Sequence, residues 1–207
     1  MNDVREKALD AFLGLIAEKG YADVALRDVA QAAGVGFADL YSVYPDKISL
    51  AAAFMARIDA EVMAGTPSSV DPEETPRDRL FDVMMRRYDA LRPHRAALRA
   101  LRRAGTRDPM LAIAMGPPLR RSMAAMLEAA SVASDGLPGA LRQNGLLAIH
   151  YAVSRVFDRD DTQDLSKTMA ALDNRLKTAE RWSQLFDKYV KSPRASAPSG
   201  PPVSPDA

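Results

Sequence analysis

Cysteine is absent from this chain of 207 residues, and only His94 and His150 supply imidazole. Those absences exclude disulfides, thiolate metal centres, cysteine nucleophiles and any site needing several histidines. Aromatic residues are scarce, at 6%. No apolar run approaches the roughly 20 residues of a membrane span. The opening Met1-Asn2-Asp3-Val4-Arg5-Glu6-Lys7 mixes charges without an apolar core, so no signal peptide is expected, and a cytoplasmic location is. Alternating segments long enough for a sheet are missing. Bulk charge of one sign is missing too: 28 basic residues balance 27 acidic ones. Neither a nucleophile elbow nor a phosphate loop, metal-ligand cluster or paired-acid motif occurs, so no catalytic residue, cofactor or metal is expected.

What the chain does have is helical periodicity, punctuated by 14 prolines and 11 glycines. Val4, Ala8, Phe12, Leu15 and Ile16 predict a first helix, stopped by Gly20. Short helices follow over 26–33, closed by Gly34, and 37–43. A fourth, capped by Asp46, runs to about Ala64. Beyond a proline-flanked linker the spacing predicts helices near 77–90, 93–104, 108–115, 118–131, 138–157 and 163–190, with Gly116-Pro117-Pro118 as a break. The expected fold class is all-α: a head over 1–64, a linker over 65–76, a helical body over 77–191 and a disordered tail over 192–207.

Two short helices joined through Gly34 have helix-turn-helix spacing, with the second offered to a DNA groove. The segments ALDAFLGLIAEKGYADVALRDVAQAAGV and LYSVYPDKISL resemble the DNA-binding region of TetR-family regulators over about residues 5–55. Phe12, Gly20, Tyr21, Ala30, Gly34, Val35, Leu40, Tyr41, Lys47 and Leu50 all fall in register. The resemblance implies an all-α homodimer that binds an operator and holds a small ligand in its body. It implies a DNA-facing set of Arg27, Gly36, Phe37, Asp39, Tyr41, Ser42, Tyr44 and Lys47. Three positions depart from the family's pattern: Gly36, Asp39 and Val43 stand where phosphate-holding hydroxyl, threonine and tyrosine or histidine groups are usual.

Charge bears on this directly, because DNA affinity comes mainly from neutralising phosphates. Over residues 1–50, Arg5, Lys7, Lys19, Arg27 and Lys47 face eight carboxylates, a net charge of −3. No lysine or arginine lies between Asp28 and Asp46. Both an operator reader and a retained fold without DNA affinity remain open on that count. After the linker the sign reverses: twelve arginines from Arg77 to Arg121 meet only Asp78, Asp82, Asp89 and Asp108, for +8. Arg92, Arg95, Arg99, Arg102 and Arg103 share one helix face, either solvated or a dock for anionic lipid or acidic protein.

In the body, Phe81, Met84, Met85, Tyr88, Met115, Met123, Met126 and Phe157, with Leu111, Ile113 and Leu127, are candidates to line an apolar pocket. His150 reads as a satisfied core histidine and His94 as an exposed one. Gly145, Ala148 and Ala152 lie at spacings of three and four, which permits close helix approach in a homodimer. Residues 156–182, with Asp158, Asp160 and Asp161, Thr168, Leu172-Asp173 and Arg175, are similar to the lipid-binding proteins of ubiquinone biosynthesis that share the TetR fold. This implies an alternative function, a lipid-holding accessory protein. Trp182, Leu185, Phe186, Tyr189 and Val190, with Lys188 and Lys191, would then offer a stripe for peripheral membrane contact over 182–191.

Overall fold

In the computed structural model, residues 2–67, 69 and 71–191 are described, with side chains over that range from Asp3 to Arg181. The stripe at 182–191 and the tail at 192–207 therefore lie outside the described side chains and residues respectively. The head comprises α1 (Asn2–Lys19), α2 (Leu26–Ala33), α3 (Phe37–Val43) and the start of α4 (Lys47–Ala64). The body comprises α5 (Pro76–Leu91), α6 (Arg95–Arg107), α7 (Pro109–Ala129), α8 (Gly136–Phe157) and α9 (Ser166–Lys191), with a 3-10 turn at Arg92–His94 before α6. Among the described residues there is no strand, and no helix is long and apolar enough to cross a membrane.

Local chemistry sets the head's corners. Gly34 takes φ +64°, and the Val35 and Gly34 amides donate to the carbonyls of Ala30 and Gln31, closing α2. Asp46 caps α4 by accepting from the Ser49 amide at 2.6 Å, while the Ser49 hydroxyl lies 3.4 Å from the Asp46 amide. Phe12, Ile16, Val29 and Leu40 are fully buried and clamp α1, α2 and α3 together.

The core does not stop at the end of the head. It runs through Phe54, Ile58 and Val62 of α4 into Met84, Tyr88, Met123, Met126 and Phe157 of the body. Helix α4 packs on α5 and α7, so it belongs to both units. At its centre lies a buried ion pair: Arg87 of α5, with no exposed surface, pairs with Asp59 of α4, which also accepts from Ser122 of α7 at 2.6 Å.

Two expectations are corrected. Gly116-Pro117-Pro118 does not divide a helix; α7 passes through it unbroken. Each proline removes one donor to the preceding turn. The segment lies at the surface, with Ile113 67% exposed, so water can meet the freed carbonyls, and Ile113 is no pocket residue. His94 is half-buried rather than exposed, its ring edge-on to Phe54 at 5.1 Å. Burial, and then the nearby Arg57 charge, lower its pKa.

Removing one partner of a desolvated ion pair leaves the other uncompensated. Arg87→Ala is expected to lower unfolding free energy by about 3 kcal/mol in urea denaturation. The Arg87→Met, Asp59→Leu double variant should recover most of that loss.

Candidate functional site

At the tip of the head, α3 begins at Gly36 and turns two aromatics outward: Phe37 is 42% and Tyr41 55% exposed, with ring centroids 6.2 Å apart. The exposed Arg27 of α2 lies over the Phe37 ring, 5.4 Å from its centroid. These three make a contiguous outward face. Ser42 is exposed, with its hydroxyl donating to the Asp39 carbonyl. The Asp39 carboxylate folds back over the start of its own helix. A Cβ at Gly36 would sit 2.7 Å from Asp39 Oδ2, so glycine is what leaves room for this arrangement.

Two residues of the expected DNA-facing set are engaged inside the head. Tyr44 is buried in the core at 6% exposure, because it closes α3 against α1 and α4. Lys47 donates to the Tyr21 carbonyl at 2.7 Å and lies over the Tyr21 ring. Burial lowers its pKa, partly opposed by Asp23. One of its ammonium donors is thus engaged on the turn after α1.

The body holds a cavity of about 430 Å³ between α6, α7 and α8, reaching Met55 of α4 and Leu91 of α5. Its walls are mainly apolar, with Leu98 and Leu101 from α6, Leu111 and Leu119 from α7, and Arg102, His150 and Arg155 as polar groups. Of the eleven candidate pocket residues, Leu111, Met115 and Phe157 line it. Met84, Tyr88, Met123 and Met126 are fully buried in the core, and Phe81 and Met85 pack half-buried against it. The Leu98, Leu101 and Gly105 spacing on α6 was the readable signal; the arginines between them obscured it.

His150 is core and wall at once. Its Nδ1 lies 3.2 Å from the Tyr88 hydroxyl, and the two rings stack. Burial, with the charges of Arg87 and Arg102, pushes its pKa down to about 3. Arg102 pairs with Asp158, and Asp161 with Lys167. Asp160 is buried; that alone would raise its pKa, but hydrogen bonds from Thr162 and Thr168 hold it below the usual carboxylate range. Each aspartate of the acidic turn thus has its own protein partner. Gly145 and Ala148 are exposed on α8, Ala152 is half-buried, and Leu137 and Leu141 lie exposed beside them at 77% and 63%.

The buried imidazole carries a pH signature. Between the ordinary pKa of 6.5 and about 3, the unfolded chain binds a proton that the folded chain does not. Stability from this group is therefore full above that window and lost as pH falls through it, by at most about 1.4 kcal/mol per pH unit. Urea denaturation from pH 7 down to about 5, above most carboxylate titration, should show a shallower pH dependence for His150→Gln than for the unaltered protein.

Residues 8–54 match the family model for bacterial regulatory proteins of the tetR family. No curated protein matches the chain. Among solved structures, a TetR transcriptional regulator from Nitrosomonas europaea ATCC 19718 superposes with a TM-score of 0.69 at 20% identity, covering 86% of this chain and 98% of its own. Another from Rhodococcus sp. RHA1 gives 0.60 at 24% identity, covering 84% and 96%. A tetR-family regulator from Streptomyces coelicolor gives 0.56 at 18% identity, covering 96% and 93%. The chain thus carries the N-terminal domain of the TetR family of bacterial regulators, and its fold is the TetR fold.

Proposed function

We propose that this protein is a dimeric transcriptional regulator, not an enzyme, whose operator binding is controlled by a small apolar ligand in the body cavity. The observation that carries this reading is the position of α6. One side of that helix lines the cavity with Leu98, Leu101 and Gly105, and another packs on α1 of the head. A ligand that fits one α6 position better than another biases the head's placement by that difference in affinity.

At the operator, Phe37 and Tyr41 offer apolar and ring contacts to base edges, and Arg27 supplies the cation for a phosphate. Backbone amides at the starts of α2 and α3 add positive potential, which Asp39 partly cancels. Dimerisation is assigned to α8, where Leu137, Leu141, Gly145 and Ala148 form an exposed strip at helical spacing. Lys47 held on Tyr21, with Asp39 at the tip, favours a second reading: a lipid-holding accessory protein whose head does not meet DNA.

Fluorescence anisotropy with DNA flanking the protein's own gene, titrated against salt, separates the two. A regulator gives saturable binding at low ionic strength. Arg27→Ala should flatten its log–log salt slope by about 1, and Asp39→Asn should tighten binding several-fold, on the order of 1 kcal/mol. Absence of binding, with lipid seen in native mass spectrometry, would support the second reading. Ala148→Glu should convert the dimer to monomer in light scattering, since a carboxylate there would be buried without a partner.

A further inference from the structure

The face of α6 turned toward α1 borders a second recess of about 750 Å³, at the seam of head and body. Its floor is small: Ala96, Ala100 and Ala104 recur every four residues and let α1 approach. Along its edge Arg99, Arg103 and Arg107 recur at the same interval, and Lys19 stands on the opposite wall. All four are exposed, and their side chains form no ion pair or hydrogen bond among the described residues. Lys47 closes the end, already committed to Tyr21.

Three carboxylates also border the recess, those of Glu18, Asp23 and Asp108. Asp108 is occupied as the cap of α7, accepting from the Met110 and Leu111 amides. None of the three pairs with an arginine of the row. Cations therefore outnumber carboxylates by five to three, and the three guanidiniums are free to fork onto new acceptors.

We propose that this seam is a binding site for a small polyanion bearing two or more phosphate groups, held by Arg99, Arg103 and Arg107 with Lys19 opposite. Guanidinium groups match phosphate oxygens in bidentate geometry, and a row of three at successive helical turns suits neighbouring phosphates better than one isolated anion. The recess is walled on two sides, by α1 with the turn after it and by α6. An occupant would tie α1 to α6, the contact through which the body cavity reaches the head. The binding claim stands independently of operator recognition.

Isothermal titration calorimetry of the full chain with inorganic triphosphate at low ionic strength tests it. Saturable binding is expected, weakened roughly tenfold or more in Arg103→Ala, Arg107→Ala. The Arg120→Ala, Arg121→Ala variant, which removes the same charge from exposed positions on α7, should leave it unchanged. No saturable binding, or equal weakening in both double variants, overturns the proposal. So does an outcome in which triphosphate fails to bind while the Arg103, Arg107 variant loses DNA affinity, because the arginines would then serve the DNA backbone.

Discussion

A guanidinium without solvent must find its compensation in the protein, and Arg87 finds it in Asp59. That requirement sets the register of α4 against α5, and the Ser122 hydroxyl on the same carboxylate oxygen adds α7. The Met55 sulfur, 3.8 Å from Arg87 Nη2, lies one turn before Asp59 on α4 and borders the body cavity. Helix α4 starts at the head and ends in the body. The pair therefore anchors a helix that, like α6, borders the cavity and packs against the head.

The second constraint is the unequal distribution of charge. The head is acidic and the first body helices are rich in arginine, yet this does not produce one uniform cationic surface. Helix α6 lies between α1 and the α7–α8 side, and the arc of its arginines straddles that boundary. Arg95 turns inward, 4.4 Å above the Phe157 ring centroid, and Arg102 pairs with Asp158. Arg92 pairs with Asp89 on the surface. Among the described residues, Arg99, Arg103 and Arg107 face the seam without partners. Spacing placed Arg92, Arg95, Arg99, Arg102 and Arg103 on one face; what lies opposite each residue separated them.

Much of the head was legible because its signals are local. Gly20, Gly34 and Asp46 act on their own turns, and Phe12, Val29 and Leu40 have a burial pattern that needs only neighbouring helices. The body was less legible. A proline pair reads as a helix break, but at a solvent-accessible position water can replace its missing donors, and α7 continues. Methionines read as pocket linings, but Met84, Met123 and Met126 fill the core, while the cavity takes the leucines of α6 and α7. Amphipathic spacing identifies an inward face without saying whether that face meets a neighbour or a void.

Read along the chain alone, the residues dictate the all-α class, the helix-turn-helix with its glycine corners, the Asp46 cap of α4 and the reversal of charge after the linker. Each of these follows from interactions within a turn or two of chain. The packing of the helices settled the rest: Tyr44 is taken into the core, Lys47 lies half-buried on Tyr21, His150 is held neutral against Tyr88, and Arg99, Arg103 and Arg107 are left unpaired among the described residues. Those outcomes depend on residues tens of positions apart meeting at one place, and burial, desolvation and pairing exist only once they have met.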